Sequence, residues 1–565
     1  MVVFYHRSTE PEAYSTGRNK ARLTLRIESG AAKRVFVAFA DRYDENGSGY
    51  EEMMHGGNDG TWDYFDVYVV QPTGRLKYVF YVELLSESVW FGENGVHQEQ
   101  AMVDSFQLAY LTERDNYEVP DWVKTAIAYE IFPDRFARSH PQKAPPGCQS
   151  WNSAPTPTTL LGGTLIGIHR YLPYLADLGV TLIYLTPIFR SPSNHKYDTS
   201  DYFDIDPQFG SKADLRDLVR EAHKLGMRVI LDAVFNHCGD KFAHFQEVVQ
   251  AGKGSPYWNW FFIRGDKVNL DEPNFETFAN GIASMPKLNV AHDQVERYLL
   301  DVATYWIREC DIDGWRLDVA NEVDHVFWRK FRAAVKETKP DALIIGEVWH
   351  DSLPWLRGDQ FDGVMNYIFR SVVLQHFVRK TLPVQEFAQA ITRLLHQYPQ
   401  PANAAMFNLL GSHDTARVLT EAGGKVERVI EALVFQFTYP GIPMVYYGDE
   451  VGMTGSTDPD CRKGMEWNKK RQNKKIKDIV RRLATLKASL PALAIGELKF
   501  IEANEKLLLY QRTSEDETCA VNVVMNRDGQ PYALSPHALI HFATSSETWQ
   551  SGRVPRNGVA IWQDC

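Results

Sequence analysis

From Thr125 to about residue 490, short apolar runs of strand length alternate with amphipathic helical patterns, and this alternation constrains the chain more than any other feature. The runs are TAIAYEIF, TLIYLTP, RVILDAVF, GWRLDV, ALIIGEV, GVMNYI, AMFNLLG and IPMVYYG. Between them lie patterns of period 3.6 such as GIHRYLPYLADLG, KADLRDLVREAHKLG, QVERYLLDVATYWIREC and KVERVIEALVFQF. Eight strand–helix units in succession predict a (β/α)8 TIM barrel, because a parallel strand buried on both faces needs a helical crossover to reach its neighbour.

The flanks read differently. Before the barrel the period is two, in Leu23, Leu25, Ile27, then Val35, Val37, Phe39, then Phe65, Val67, Val69, then Leu76, Tyr78, Phe80, Val82. Turn clusters such as HGGNDG and QPTG separate these runs, which predicts an N-terminal β-sandwich over 1–122. The catalytic barrel then spans 123–490, with an aromatic and Gly/Pro-rich insertion at 238–292, after the third strand, where two to six residues would usually connect. Over 491–565 the period returns to two, with hairpin-like turns at EANEK and NRDGQ, which predicts a C-terminal antiparallel β-domain. The fold class is therefore multidomain, a central barrel carrying a small inserted domain between two β-domains.

Composition excludes several partners. With 61 Lys+Arg against 72 Asp+Glu the net charge is −11, so no overall positive field gathers phosphates, and nucleic acid is not expected. The most apolar stretch, from Val429, is interrupted by Glu431, Gln436, Pro440 and Pro443, so no membrane partner is expected. Six cysteines without CxxC spacing, and an N-terminus that lacks the apolar core of a signal peptide, predict a cytoplasmic protein with reduced thiols.

In a barrel of this kind reactive groups sit at the C-terminal ends of the strands. There the sequence places Asp232, Asn236 and His237 after the third strand, Arg316 and Asp318 on the fourth, Glu347 after the fifth, and His413 and Asp414 after the seventh. Arg316 and Asp318 are two apart, on one side of a strand and roughly 6.6 Å apart along it, so the guanidinium is expected to keep the carboxylate ionised. Paired carboxylates from neighbouring strands suit glycoside hydrolysis, in which one is a nucleophile and the other protonates the leaving oxygen.

On these residues the chain resembles the α-amylase family of glycoside hydrolases from Thr125 onward. GVTLIYLTPIF, DAVFNH, GWRLDVANE, GEVWH and GSHDT are similar to the family's strand motifs, in order. MPKLN, VANE and the β-rich N-terminal domain resemble the subgroup of cyclomaltodextrinases, neopullulanases and maltogenic amylases. The resemblance implies that Asp318 is the nucleophile, Glu347 the acid/base, and Asp414 the group that holds the reacting glucose. It implies sugar contacts from Tyr197, His237, Arg316 and His413, a further substrate-contacting pair in Asp458 and Arg462, and acceptor-side contacts from Glu322 and Trp349. It implies retaining hydrolysis of α-1,4-glucans, that is cyclodextrins, maltooligosaccharides and pullulan, with some transglycosylation, and a homodimer through the N-terminal domain. The aromatic residues Trp62, Tyr64, Phe65, Trp90 and Phe91 would suit such an interface or a sugar platform. Several relatives hold calcium in the loop after the first strand; here it reads RFARSHPQKAPPG, with Arg138 and His140 where oxygen ligands are wanted, so no cofactor and no metal are expected.

Three other readings compete. A glucosyltransferase or disaccharide isomerase of the same family shares the barrel motifs. A non-catalytic glucan-binding protein would have lost the nucleophile or the acid. A metal-dependent barrel hydrolase would use His195, His237 and His350, but the first strand lacks the His-x-His such sites want.

Overall fold

A computed structural model describes the chain apart from residues 1, 45–47, 141–144, 515–519 and 565. The eight predicted runs form eight parallel strands at Ala128–Ile131, Leu182–Leu185, Arg228–Ala233, Gly314–Leu317, Leu343–Gly346, Gly363–Val364, Phe407–Leu409 and Ile442–Tyr446. They pair in the order sixth, fifth, fourth, third, second, first, eighth, seventh. A parallel bridge between Met365 and Phe407 joins the two ends, with Asn366 N–H donating to Phe407 O at 2.8 Å. Apolar side chains from these strands, Ala128, Leu182, Ile230, Ile345, Phe407 and Met444 among them, fill the lumen as a packed core.

The outer helices follow their apolar stripes. Lys212–Lys224 is started by a capping box between Ser211 and Asp214 and buries Leu215, Leu218, Val219 and Ala222. GIHRYLPYLADLG is two helices rather than one, Leu165–Arg170 and Leu172–Leu178, broken at Tyr171. Pro173 is the reason, since it has no N–H for the carbonyl four residues back. The segment after the third strand folds as the helix Ala243–Ala251 and short irregular pieces. It is tied back to the strand end by the bridge of His237 with Lys287 and by Leu288 N–H donating to Asn236 O at 3.0 Å, while Phe261 bridges Leu288 within the segment.

The N-terminal sheets have five and six strands, and all the predicted inward positions pack between them, with Val67 only partly buried. HGGNDG departs from expectation. Its first four residues belong to the strand Met54–Asn58, which pairs with Trp62–Val70 and lies against the barrel helix Val384–Gln397. A Cβ on Gly56 would lie 2.3 Å from Asp66 Oδ2 and 2.9 Å from His396 Nε2, so only glycine allows this approach. Docking is completed by the Asp59–Arg393 ion pair at 3.0 Å, by Asp66 with His396 at 3.2 Å, and by Tyr64 stacked on His396 at 4.0 Å. Of the five aromatic residues expected to suit an interface or a sugar platform, Tyr64, Phe65 and Phe91 are buried in the sandwich or against the barrel, and Trp62 and Trp90 are half-buried.

The C-terminal domain is a five-stranded antiparallel sheet with a small two-stranded one. EANEK is a hairpin turn between Glu497–Ala503 and Leu507–Thr513. NRDGQ is not. Val521–Asn526 before it pairs with Leu507–Thr513 and Val559–Asp564, whereas Tyr532–Ala533 after it pairs with Arg553–Val554. Cys148, Cys238, Cys310 and Cys461 are free thiols; Cys519 and Cys565 lie outside the described residues. Among the described residues no helix is long and apolar enough to cross a membrane.

Candidate active site

Asp318 directly follows the fourth barrel strand, and its backbone N–H still donates to Ala233 O of the third at 3.1 Å, which fixes its direction. Beside it the fully buried Arg316 carries the centre of the site. Nη1 lies 2.8 Å from Asp318 Oδ1 and 3.0 Å from each carboxylate oxygen of Asp232, while Nη2 lies 2.9 Å from Glu347 Oε2, off the hydrogen-bonding direction. Three carboxylates thus share one guanidinium. Burial, together with the like charges of Glu347 and Asp232, pushes the Asp318 carboxyl well above its ordinary range against the pull of Arg316. Arg316 alone therefore does not fix the charge of Asp318, as the two-residue spacing had suggested.

Glu347 is held by a second device. Val319 adopts φ 46° and ψ 42°, a left-handed conformation that costs a β-branched residue energy, and this turn aims its N–H at Glu347 Oε2, 3.0 Å away. Trp349 Nε1 donates to Glu347 Oε1 at 3.1 Å, and the half-exposed indole stacks on Tyr367 with centroids 3.6 Å apart.

Asp414 and His413 come from the turn after the seventh strand. His413 Nε2 lies 3.0 Å from Asp414 Oδ2 and 2.7 Å from the Tyr197 hydroxyl. Tyr197 OH also donates to Asp232 Oδ2 at 3.1 Å, which joins this pair to the Arg316 cluster. Arg462 donates to His413 O at 2.8 Å and to Asp414 Oδ1 at 2.9 Å, and is itself paired with Asp458 at 3.1 Å. Burial opposes the charge on both partners, yet His413 and Arg462 hold the Asp414 carboxyl far below its usual range, and Asp414 and Glu130 raise His413 to about 10. One polar network therefore runs from Asp458 to Trp349 and takes in Asp318, Glu347, Asp414, Tyr197, Arg316, His413 and Arg462.

Two predicted residues stand beside the network. His237 is buried with Nε2 unpartnered, and burial lowers its pKa to about 3, so it is neutral. Glu322 is paired with Lys287 of MPKLN at 2.7 Å, linking the inserted segment to the turn after Asp318. Sequence reasoning passed over Glu130 as a site residue and left Asp232 without a role. Glu130 accepts from His413 through Oε1, and Asp232 from Tyr184, Tyr197 and Arg316. The available signal was a charged residue inside an apolar strand, at YEIF and VILDAV.

Among the described residues no three His, Cys, Asp or Glu gather as a metal site, so His195, His237 and His350 do not form one. In the loop after the first strand, Arg138 donates to Leu161 O and Gln149 O, which places a fixed positive charge among the carbonyls; 141–144 lie outside the described residues.

The fold and site define a TIM-barrel protein with a guanidinium-centred carboxylate cluster at its strand ends, the kind of carboxylate pairing that glycoside hydrolysis uses. The chain belongs to the α-amylase family: residues 130–489 match the α-amylase catalytic domain and 1–112 its N-terminal ig-like domain. It is 48% identical over 537 residues to a cyclomaltodextrinase from Geobacillus thermopakistaniensis (strain MAS1), covering 93% of this chain and 91% of that protein. It is 43% identical over 576 residues to neopullulanase 2 from Thermoactinomyces vulgaris, covering 100% of this chain and 95% of that one. A solved cyclomaltodextrinase structure, 40% identical, superposes with a TM-score of 0.90 over 99% of this chain and 97% of its own.

Proposed function

We propose that the protein hydrolyses α-1,4-glucosidic bonds of cyclodextrins, maltooligosaccharides and pullulan with retention of configuration, and transfers glucosyl units to sugar acceptors as a side reaction. The observation that carries the reading is the shared guanidinium: Asp318 and Glu347 reach adjacent nitrogens of Arg316, at 2.8 and 2.9 Å. This supports the close carboxyl spacing of about 5–5.5 Å that double displacement uses.

In this reading Asp318 attacks the anomeric carbon while Glu347 protonates the departing oxygen, giving a covalent glucosyl-enzyme. Glu347, now ionised, takes a proton from water or from an acceptor hydroxyl as that oxygen releases the sugar from Asp318. Catalysis needs one proton in the carboxylate cluster, on Glu347, with Asp318 ionised. Asp414, kept anionic by His413 and Arg462, accepts hydrogen bonds from hydroxyls of the reacting glucose. The exposed Trp349 indole beside Glu347 gives an acceptor sugar a face to stack on, which supports transfer. Cyclodextrin and pullulan are the substrates that the names of the relatives carry.

The four described cysteines, all free thiols, support a reducing compartment, the cytoplasm. A homodimer through the N-terminal sandwich is supported by the exposure there of Tyr43, Tyr50 and Met54, each more than half accessible. Sedimentation of the full chain as a monomer at micromolar concentration would remove that part. The catalytic reading is tested by proton NMR of fresh products, with cyclodextrin, pullulan, starch and maltotriose compared by chromatography. α-Anomers are expected, with cyclodextrin and pullulan cleaved; β-anomers overturn retention.

A further inference from the structure

The first barrel strand carries one charged side chain in an apolar run, and that side chain, Glu130, is fully buried. Its Oε1 accepts from the backbone N–H of His413 at 3.2 Å and from His413 Nδ1 at 2.5 Å, while Oε2 has no side-chain or backbone partner. The opposite ring nitrogen faces Asp414 Oδ2 at 3.0 Å. A neutral imidazole has one N–H and can serve only one of two ionised carboxylates; an imidazolium serves both.

We propose that Glu130 is a positioning residue that holds His413 as an imidazolium with its ring fixed, so that Nε2–H is a standing donor to Asp414 and keeps Asp414 anionic and aimed at the sugar. This inference rests on the assignment of Asp414 to the reacting glucose. Glu130 touches no substrate; it acts through His413.

The other groups facing His413 are Tyr197, Asp232, Cys461 and Arg462. Close to Glu130 are also Tyr184, Tyr446 and Asp449, with Glu450 beside Asp449. Burial raises Asp449 to about 6, with Arg417 opposing and Glu450 and Glu130 adding to the rise. Among the described residues, the cationic side chain that reaches the Glu130 carboxylate is His413. The raised pKa of His413 agrees with that arrangement, since its two carboxylate neighbours overcome the cost of burial.

The test is two-bond proton–nitrogen NMR on the full chain labelled with 15N-histidine. In the wild type, His413 gives imidazolium signals up to about pH 9. In Glu130→Gln, which keeps the shape and a carbonyl acceptor without the charge, the same ring titrates at least about one pH unit lower. A neutral His413 in the wild type at pH 7 overturns the proposal, as does a variant whose ring titrates unmoved. If Glu130→Gln does not fold, Glu130→Asp, which keeps the charge but withdraws it from the ring, takes its place, and an unmoved ring titration there overturns the proposal. The NMR measurement does not depend on turnover, so failure here is distinct from failure of the glycosidase reading, which inactive Asp318→Asn addresses.

Discussion

Arg316 and Asp232 form a buried ion pair in which Nη1 sits 3.0 Å from both carboxylate oxygens, at the end of adjacent barrel strands paired residue for residue. The same nitrogen reaches Asp318, so Arg316 compensates the proposed nucleophile and Asp232 at once. Arg316→Met strands three buried carboxylates and should lower stability by about 3–5 kcal/mol in urea unfolding. Arg316→Lys keeps the charge but not the planar fork, so it should fall between in stability while losing most activity. A methionine variant as stable as the wild type would show that the cluster is held by other groups.

Asp318→Asn and Glu347→Gln should each remove nearly all hydrolysis of a maltooligosaccharide and leave the circular dichroism spectrum unchanged. Loss of a nucleophile or an acid/base group costs orders of magnitude. Either variant that keeps more than about a tenth of the wild-type kcat would end its assignment.

Gly56→Ala should weaken the seat of the sandwich on the barrel. Its methyl would meet Asp66, which is already bound by Arg22, Thr24 and His396 and has nowhere to swing. Overpacking of this kind costs about 1–3 kcal/mol. An earlier thermal transition and faster proteolysis near residues 113–121 are expected; an unchanged melting curve would mean that the interface yields freely.

The Asp414–His413 pair sets a stability window. His413 is raised from its unfolded value of 6.5 to about 10, so its contribution is full below about 6.5 and disappears as pH climbs through about 10. Asp414 is depressed from 3.8, so its contribution is present above about 3.8 and disappears as pH falls through the lower folded value. The melting-temperature gap between wild type and Asp414→Asn should therefore be widest between about pH 4 and 6.5 and narrow on both sides. A gap independent of pH would mean the pair is not charged.

The sequence by itself determined the architecture, because burial imposes periods that a chain displays locally. Period two placed Leu23, Leu25 and Ile27 inside the sandwich, and the eight apolar runs became the eight barrel strands. The ionisable residues at strand ends were legible for the same reason, since a packed lumen leaves them nowhere else to go. Only the tertiary structure decided the rest. Glu130 and His413 are 283 residues apart, and nothing local marks them as partners. Gly56 read as a turn glycine because its neighbours are turn formers, but it is a contact point between two domains. The charge on Asp318 looked fixed by Arg316 two residues away, until Asp232 and Glu347 arrived on the neighbouring strands to share the same guanidinium. Periodicity is a property of one segment, whereas the electrostatics of a buried site is a sum over every charge that the closed barrel brings within a few ångströms.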